Sequence, residues 1–129
     1  MISLGTPWLR RCAVLLAAAS LFCIIAGDAF TSNEERPFYS LGQTHLLAAA
    51  FVGIFTIGLV VCLLLVERRP WMRRLAWIAL AAVIVESLLG FITVPQPPAV
   101  RVAHAFLAQL FFAATAAMAV FTSRAWAQM

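Results

Sequence analysis

Four long apolar runs, separated by short polar punctuation, organise this chain. The first extends from about Cys12 to Phe30. The second, Leu46 to Val66, contains no charged residue. The third, Leu75 to Val94, contains one, Glu86. The fourth, Val102 to Thr122, has His104 as its only ionisable group. A bilayer core about 30 Å thick takes about 20 apolar residues in helical form to cross. Lipid offers no partner to backbone N–H and C=O groups, so each run predicts a helix that satisfies its own. The helices fall at approximately 10–30, 43–66, 72–94 and 100–123. The expected fold class is an all-α integral membrane protein: an antiparallel bundle of four transmembrane helices in a single domain over residues 1–129. So little chain lies outside the four runs that no soluble catalytic domain fits. Any chemistry belongs inside the bundle or at its rim.

The punctuation sets the topology. Pro37 and Gly42 argue against regular helix in the polar segment Asp28–Gln43. Glu67-Arg68-Arg69-Pro70 predicts a tight turn between the second and third helices. Val94-Pro95-Gln96-Pro97-Pro98 ends the third, because proline removes a helical donor and restricts the residue before it. Connections this short place sequential helices side by side and antiparallel. Trp8, Trp71, Trp77 and Trp126 all fall near one boundary, as an aromatic belt does.

Composition agrees: 64% of the residues are apolar and 11% charged, and the mean hydropathy is +1.00. The net charge of +4 does not point to nucleic acid, because the arginines are placed topologically. Arg10, Arg11, Arg68, Arg69, Arg73, Arg74 and Arg124 fall on one side of a four-span arrangement. Only Arg36 and Arg101 fall on the other. By the positive-inside rule both termini and the Glu67–Arg74 loop are cytoplasmic. The expected location is a bacterial inner membrane, crossed several times. Arg10-Arg11 before an apolar run also has the look of a signal peptide. Gly27-Asp28-Ala29 is a poor cleavage site, so the first helix is read as retained. Cys12, Cys23 and Cys62 are scattered along the helices without a C-x-x-C-H motif, which excludes covalent c-type haem. They read as small buried hydrophobes.

The chain has two histidines, and both occupy matching places. His45 and His104 each lie about three residues into a span, roughly 5 Å below the outer rim at about 1.5 Å per residue. Their helices, the second and fourth, run in the same direction. Imidazole is the commonest protein ligand of haem iron, and bundles build metal sites from facing helices. Helical spacing gives each histidine a stripe of small residues. His45, Ala49, Val52 and Thr56 share a face, with Gly53 beside it. His104, Ala108, Phe111 and Thr115 share another, and Ala79, Ala82, Glu86, Gly90 and Thr93 form a third. Small residues let membrane helices pack closely, and they also leave room for a flat cofactor. Zinc needs four ligands. A haem needs only two from the protein, and a b-type haem fits the pair. Arg101, three residues before His104, is placed to pair with a haem propionate, or to snorkel to lipid headgroups. Glu86 is expected deeper than the histidines. It either hydrogen-bonds a histidine or cofactor, or stays neutral against a neighbouring helix.

The chain resembles the haem A synthase family over nearly its whole length. The resemblance rests on Pro7-Trp8-Leu9-Arg10-Arg11, on Thr31-Ser32-Asn33-Glu34, and most of all on Leu88-Leu89-Gly90-Phe91-Ile92-Thr93-Val94, Pro97-Pro98 and His104-Ala105-Phe106-Leu107-Ala108-Gln109-Leu110-Phe111-Phe112. Members of that family convert the methyl group of haem O to the formyl of haem A, in two four-helix halves. Each half holds a haem between histidines on its second and fourth helices. The resemblance implies that this chain is one half, most similar to the amino-terminal one, with His45 and His104 as the ligand pair. It departs from the family in three places. The glutamate expected three residues before the first histidine is Gly42, the arginine expected after that histidine is Leu46, and the outer-loop cysteine pair is missing.

Three functions follow as expectations. One is a bis-histidine, b-type haem protein in electron transfer or a structural role. Another is a half-sized haem A synthase acting as a homo-oligomer, against which Gly42 argues. The last is a non-enzymatic subunit of a larger respiratory or photosynthetic membrane complex.

Overall fold

Proline marks the start of three of the four long helices. The structure, a computed structural model, describes residues 7–32, 39–91 and 97–127. Within them α1 is Pro7–Ser32, α2 Tyr39–Val66, α3 Pro70–Phe91 and α4 Pro98–Phe121, with a short α5, Arg124–Ala127. Proline suits a first helical position, where its missing N–H would have no partner and its φ is already set. In α4, Pro97 at φ −56° and ψ 145° stays extended just before the helix.

These starts correct the expected boundaries. α1, α3 and α4 begin two or three residues early. α2 begins at Tyr39, so the polar stretch Ser40–Thr44 is helical rather than loop. Hydropathy locates the lipid-embedded middle of a span, while the helix itself continues into the headgroup zone. At the other end α4 stops at Phe121, two residues short of the expected 123. The Thr122 N–H and hydroxyl both donate to the Met118 carbonyl, at 3.0 and 2.7 Å, and close the helix before α5. The expected end of the third helix at 94, with Thr93, and Arg36 lie outside the described residues.

The four helices form a ring. α1 packs on α2 and α4, and α3 packs on the same two. α1 and α3 are diagonal, as are α2 and α4. The late part of α1 meets the early part of α2, where Gly27 lies against His45. The late part of α3 likewise meets the early part of α4, where Gly90 lies against His104. Neighbours are therefore antiparallel.

The core where the helices meet is apolar. Leu16, Leu63, Met72 and Met118 are fully buried, together with Thr56 and Thr115. The two threonine hydroxyls donate within their own helices, Thr56 to the Val52 carbonyl at 2.6 Å and Thr115 to the Phe112 carbonyl at 2.8 Å. No hydroxyl in this layer depends on a neighbouring helix. Gly53, expected beside the inner stripe, is no close contact: a Cβ there meets nothing within 4 Å.

The outward surface explains the composition. Ile54, Leu65 and Phe91 are 74, 80 and 82% exposed. A soluble monomer rarely shows continuous apolar surface on this scale, whereas acyl chains accept it without cost. All four long helices are long and apolar enough to cross a membrane. This is a multi-pass membrane protein.

The α2–α3 turn is braced. Arg69 donates from Nε to Glu67 Oε1 at 3.0 Å and from a terminal nitrogen to Oε2 at 2.7 Å. It also donates to the Phe121 carbonyl at 3.2 Å, tying the turn to the end of α4. The guanidinium lies 5.1 Å from the Trp71 ring centre, and Phe121 meets Trp71 and Trp126 edge-on. Hydrogen bonding to Arg69 holds the Glu67 carboxyl below its ordinary range, and Glu67 raises the guanidinium in return.

Candidate functional site: two histidine stations

His45 is six residues past the start of α2 at Tyr39, and His104 is six residues past the start of α4 at Pro98. That puts each about 9 Å along its helix at about 1.5 Å per residue. The two histidines hold the same place relative to the first described residues of their helices.

Each histidine is held by the helix before it. His45 Nδ1 lies 3.0 Å from the Cys23 carbonyl of α1. A carbonyl only accepts, so Nδ1 carries the proton and Nε2 keeps its lone pair. The Cys23 thiol sits 3.7 Å from the same nitrogen and points back to the His45 carbonyl at 4.0 Å. Beneath the ring is Gly27, where a Cβ would fall 2.9 Å from His45 Cε1. No side chain fits between them, so this glycine admits the imidazole to the helix surface.

His104 is held from α3. Its Nδ1 lies 3.1 Å from Glu86 Oε1, with both side chains half-buried. The two atoms are in contact without hydrogen-bond alignment. Glu86 Oε2 and His104 Nδ1 are buried atoms with no hydrogen-bond partner among the described residues. Gly90 lies below the ring, its Cβ position 3.4 Å from His104 Cε1. Glu86 is thus beside His104 rather than deeper. The antiparallel pairing of α3 and α4 sets the carboxylate beside the ring, which corrects the expected placement. Of the two roles open to Glu86, the structure shows the contact with a histidine.

Arg101 is exposed, one turn before His104 on α4. Cys23 and Gly27 were not singled out from the sequence. Their signal was present: they are four residues apart on one face, near the same membrane boundary as the histidines.

Among the described residues no three His, Cys, Asp or Glu side chains come together as ligands for a bare metal ion. Each imidazole turns its Nδ1 toward the preceding helix, the side from which metal-ligating histidines are usually held. The unpartnered Glu86 oxygen adds an acceptor beside one of them. Beside the His45 station, an apolar groove of about 460 Å³ lies between α1 and α2, lined by Ala19, Phe22, Thr44, Leu47, Ala48 and Phe51. Its open, greasy walls suit an acyl chain. Compared with protein-family models, curated proteins and solved structures, the chain matches none.

Proposed function

We propose that this chain is an integral-membrane haem-binding protein. His45 and His104 are the two axial ligands of one b-type haem near the outer face, in an electron-transfer or structural role. Both termini are cytoplasmic, by the seven-to-two distribution of arginines, and the membrane is a bacterial inner membrane. A haem held by His45 and His104 would supply one-electron chemistry at this site.

One observation carries the reading: each imidazole turns Nδ1 toward a polar group of the preceding helix, the Cys23 carbonyl at 3.0 Å and the Glu86 carboxylate at 3.1 Å. Metal-ligating histidines are held in this way, by a carbonyl or carboxylate on the far nitrogen, so that tautomer and ring orientation are set before the ligand arrives. The diagonal placement of α2 and α4 puts the two histidines on opposite corners of the ring of helices. Arg101, one turn nearer the rim than His104, pairs with a propionate. Gly42 speaks against a half-sized haem A synthase. The position where that family carries its glutamate has no carboxylate here, and a Cβ there would fall 3.0 Å from the Phe30 ring, which would have to give way.

The test is the absorption spectrum of the purified full chain from haem-replete cells, oxidised and reduced. The expected result is a low-spin haem spectrum at one haem per chain, lost in both His45→Ala and His104→Ala. A colourless wild-type protein, or a spectrum that survives both substitutions, overturns the proposal.

A further inference from the structure

The two halves of the bundle repeat one another. Pro7-Trp8-Leu9-Arg10-Arg11 opens α1 and Pro70-Trp71-Met72-Arg73-Arg74 opens α3, a shift of 63 residues. The same shift carries the buried residues Leu9, Ala13, Leu16 and Ser20 onto Met72, Ala76, Ala79 and Val83, which are also buried. Burial alone is weak evidence, because any two packed helices share a period. Chemistry at the far end is stronger. The shift places Cys23 on Glu86 and Gly27 on Gly90. Each of these pairs touches a histidine on the following helix.

The second helices repeat with a shift of 59. His45 falls on His104 and the buried Thr56 on the buried Thr115. The difference of four residues lies in the stretch between glycine and histidine, 18 residues from Gly27 to His45 and 14 from Gly90 to His104. The packing agrees. A two-fold axis down the bundle exchanges α1 with α3 and α2 with α4, and it maps each contact among the four long helices onto another.

We propose that the bundle is two copies of one helical hairpin about a pseudo-two-fold axis, and that Glu86 is the positioning residue of His104 as the Cys23 carbonyl is of His45. Both copies keep the proton on Nδ1 and free Nε2. They differ in the group that faces Nδ1, a neutral carbonyl at one station and a carboxylate at the other. A carboxylate 3.1 Å from His104 Nδ1 raises the basicity of the ring more than a neutral carbonyl does. His104 is thereby the more electron-rich imidazole, and the two ends of the site are chemically unequal within a symmetric frame. The inference deepens the haem reading, since a more basic ligand stabilises the oxidised metal. Its geometric part does not need haem.

The test uses the full chain, labelled with nitrogen-15 at histidine, in detergent micelles without haem. Two imidazoles give two sets of signals, assigned by their loss in His45→Ala and His104→Ala. Both rings are expected as the Nδ1–H tautomer, with the His104 Nδ1 proton further downfield. Glu86→Gln shrinks that difference. In the exchange variant C23E/E86C the order reverses, and His45 becomes the downfield ring. An Nε2–H tautomer at His104, or an unchanged order in the exchange variant, overturns the proposal. If the exchange variant does not fold, Glu86→Gln alone decides it, because an unmoved His104 signal also overturns it. A colourless protein that shows the expected order refutes the haem reading alone. A haem-loaded protein with His104 protonated at Nε2 refutes this inference alone.

Discussion

Replacing Gly27 or Gly90 by alanine adds the same methyl group at equivalent places, and the structure assigns the two changes opposite signs. At Gly27 the new Cβ falls 2.9 Å from His45 Cε1 and 3.0 Å from Nδ1. The ring has to retreat by about half an ångström, since ordinary contacts of this kind start near 3.4 Å. Overpacking of this kind costs about 1–3 kcal/mol. The retreat also weakens the His45–Cys23 hydrogen bond, a further 0.5–1.5 kcal/mol or so. Alanine returns about 1 kcal/mol through its better helix propensity. Gly27→Ala is therefore destabilised by roughly 1–3 kcal/mol. At Gly90 the nearest atom is His104 Cε1 at 3.4 Å, ordinary contact, so the propensity term prevails and Gly90→Ala gains up to about 1 kcal/mol. Unfolding of the two variants in mixed detergent–SDS micelles, followed by circular dichroism, measures the difference directly. Haem content, read from the same preparations, should fall only in Gly27→Ala. A Gly27→Ala protein as stable as Gly90→Ala would refute the packing of His45 on α1, whatever is bound.

Four more predictions concern the frame. Hydrogen bonding to Arg69 lowers the Glu67 pKa in the folded chain, so this pair stabilises the fold above the ordinary carboxylate range, and its contribution is lost as pH falls through the lowered value. Melting temperatures across acid pH should show that loss in the wild type and a flatter profile in Arg69→Ala. At neutral pH, Arg69→Ala should cost about 1–3 kcal/mol by unfolding titration, because it removes the tie to the Phe121 carbonyl and the stacking on Trp71; no change would mean the brace is idle. Thr56→Val and Thr115→Val should each stay within about 1 kcal/mol of wild type, since both hydroxyls serve only carbonyls of their own helix, and a larger loss would reveal a cross-helix role. Leu63→Ala, at a fully buried position, should cost about 2–5 kcal/mol in the same titration.

Much of this architecture was legible in the chain. Four uninterrupted apolar runs admit only helices in lipid, and the short turn Glu67–Arg69 admits only antiparallel neighbours. The matching places of His45 and His104 along α2 and α4 were legible too, because both sit at the same distance past a polar-to-apolar boundary. The sequence misjudged the helix ends, since hydropathy reports contact with acyl chains while Pro7, Pro70 and Pro98 report where helical hydrogen bonding begins.

What only the tertiary structure decided is which side chains meet. Linear spacing placed Glu86 below the histidines, whereas the antiparallel pairing of α3 and α4 brings it within 3.1 Å of His104. Nothing local distinguishes Cys23 from Cys12 or Cys62, because its role lies in its main-chain carbonyl, and a carbonyl is silent in sequence until a neighbour arrives to donate to it. Gly27 and Gly53 are equally glycine, yet one lies under an imidazole and the other faces open space. Periodicity determines the face of a helix; the rotation of that face toward one neighbour or another follows from the packing of all four.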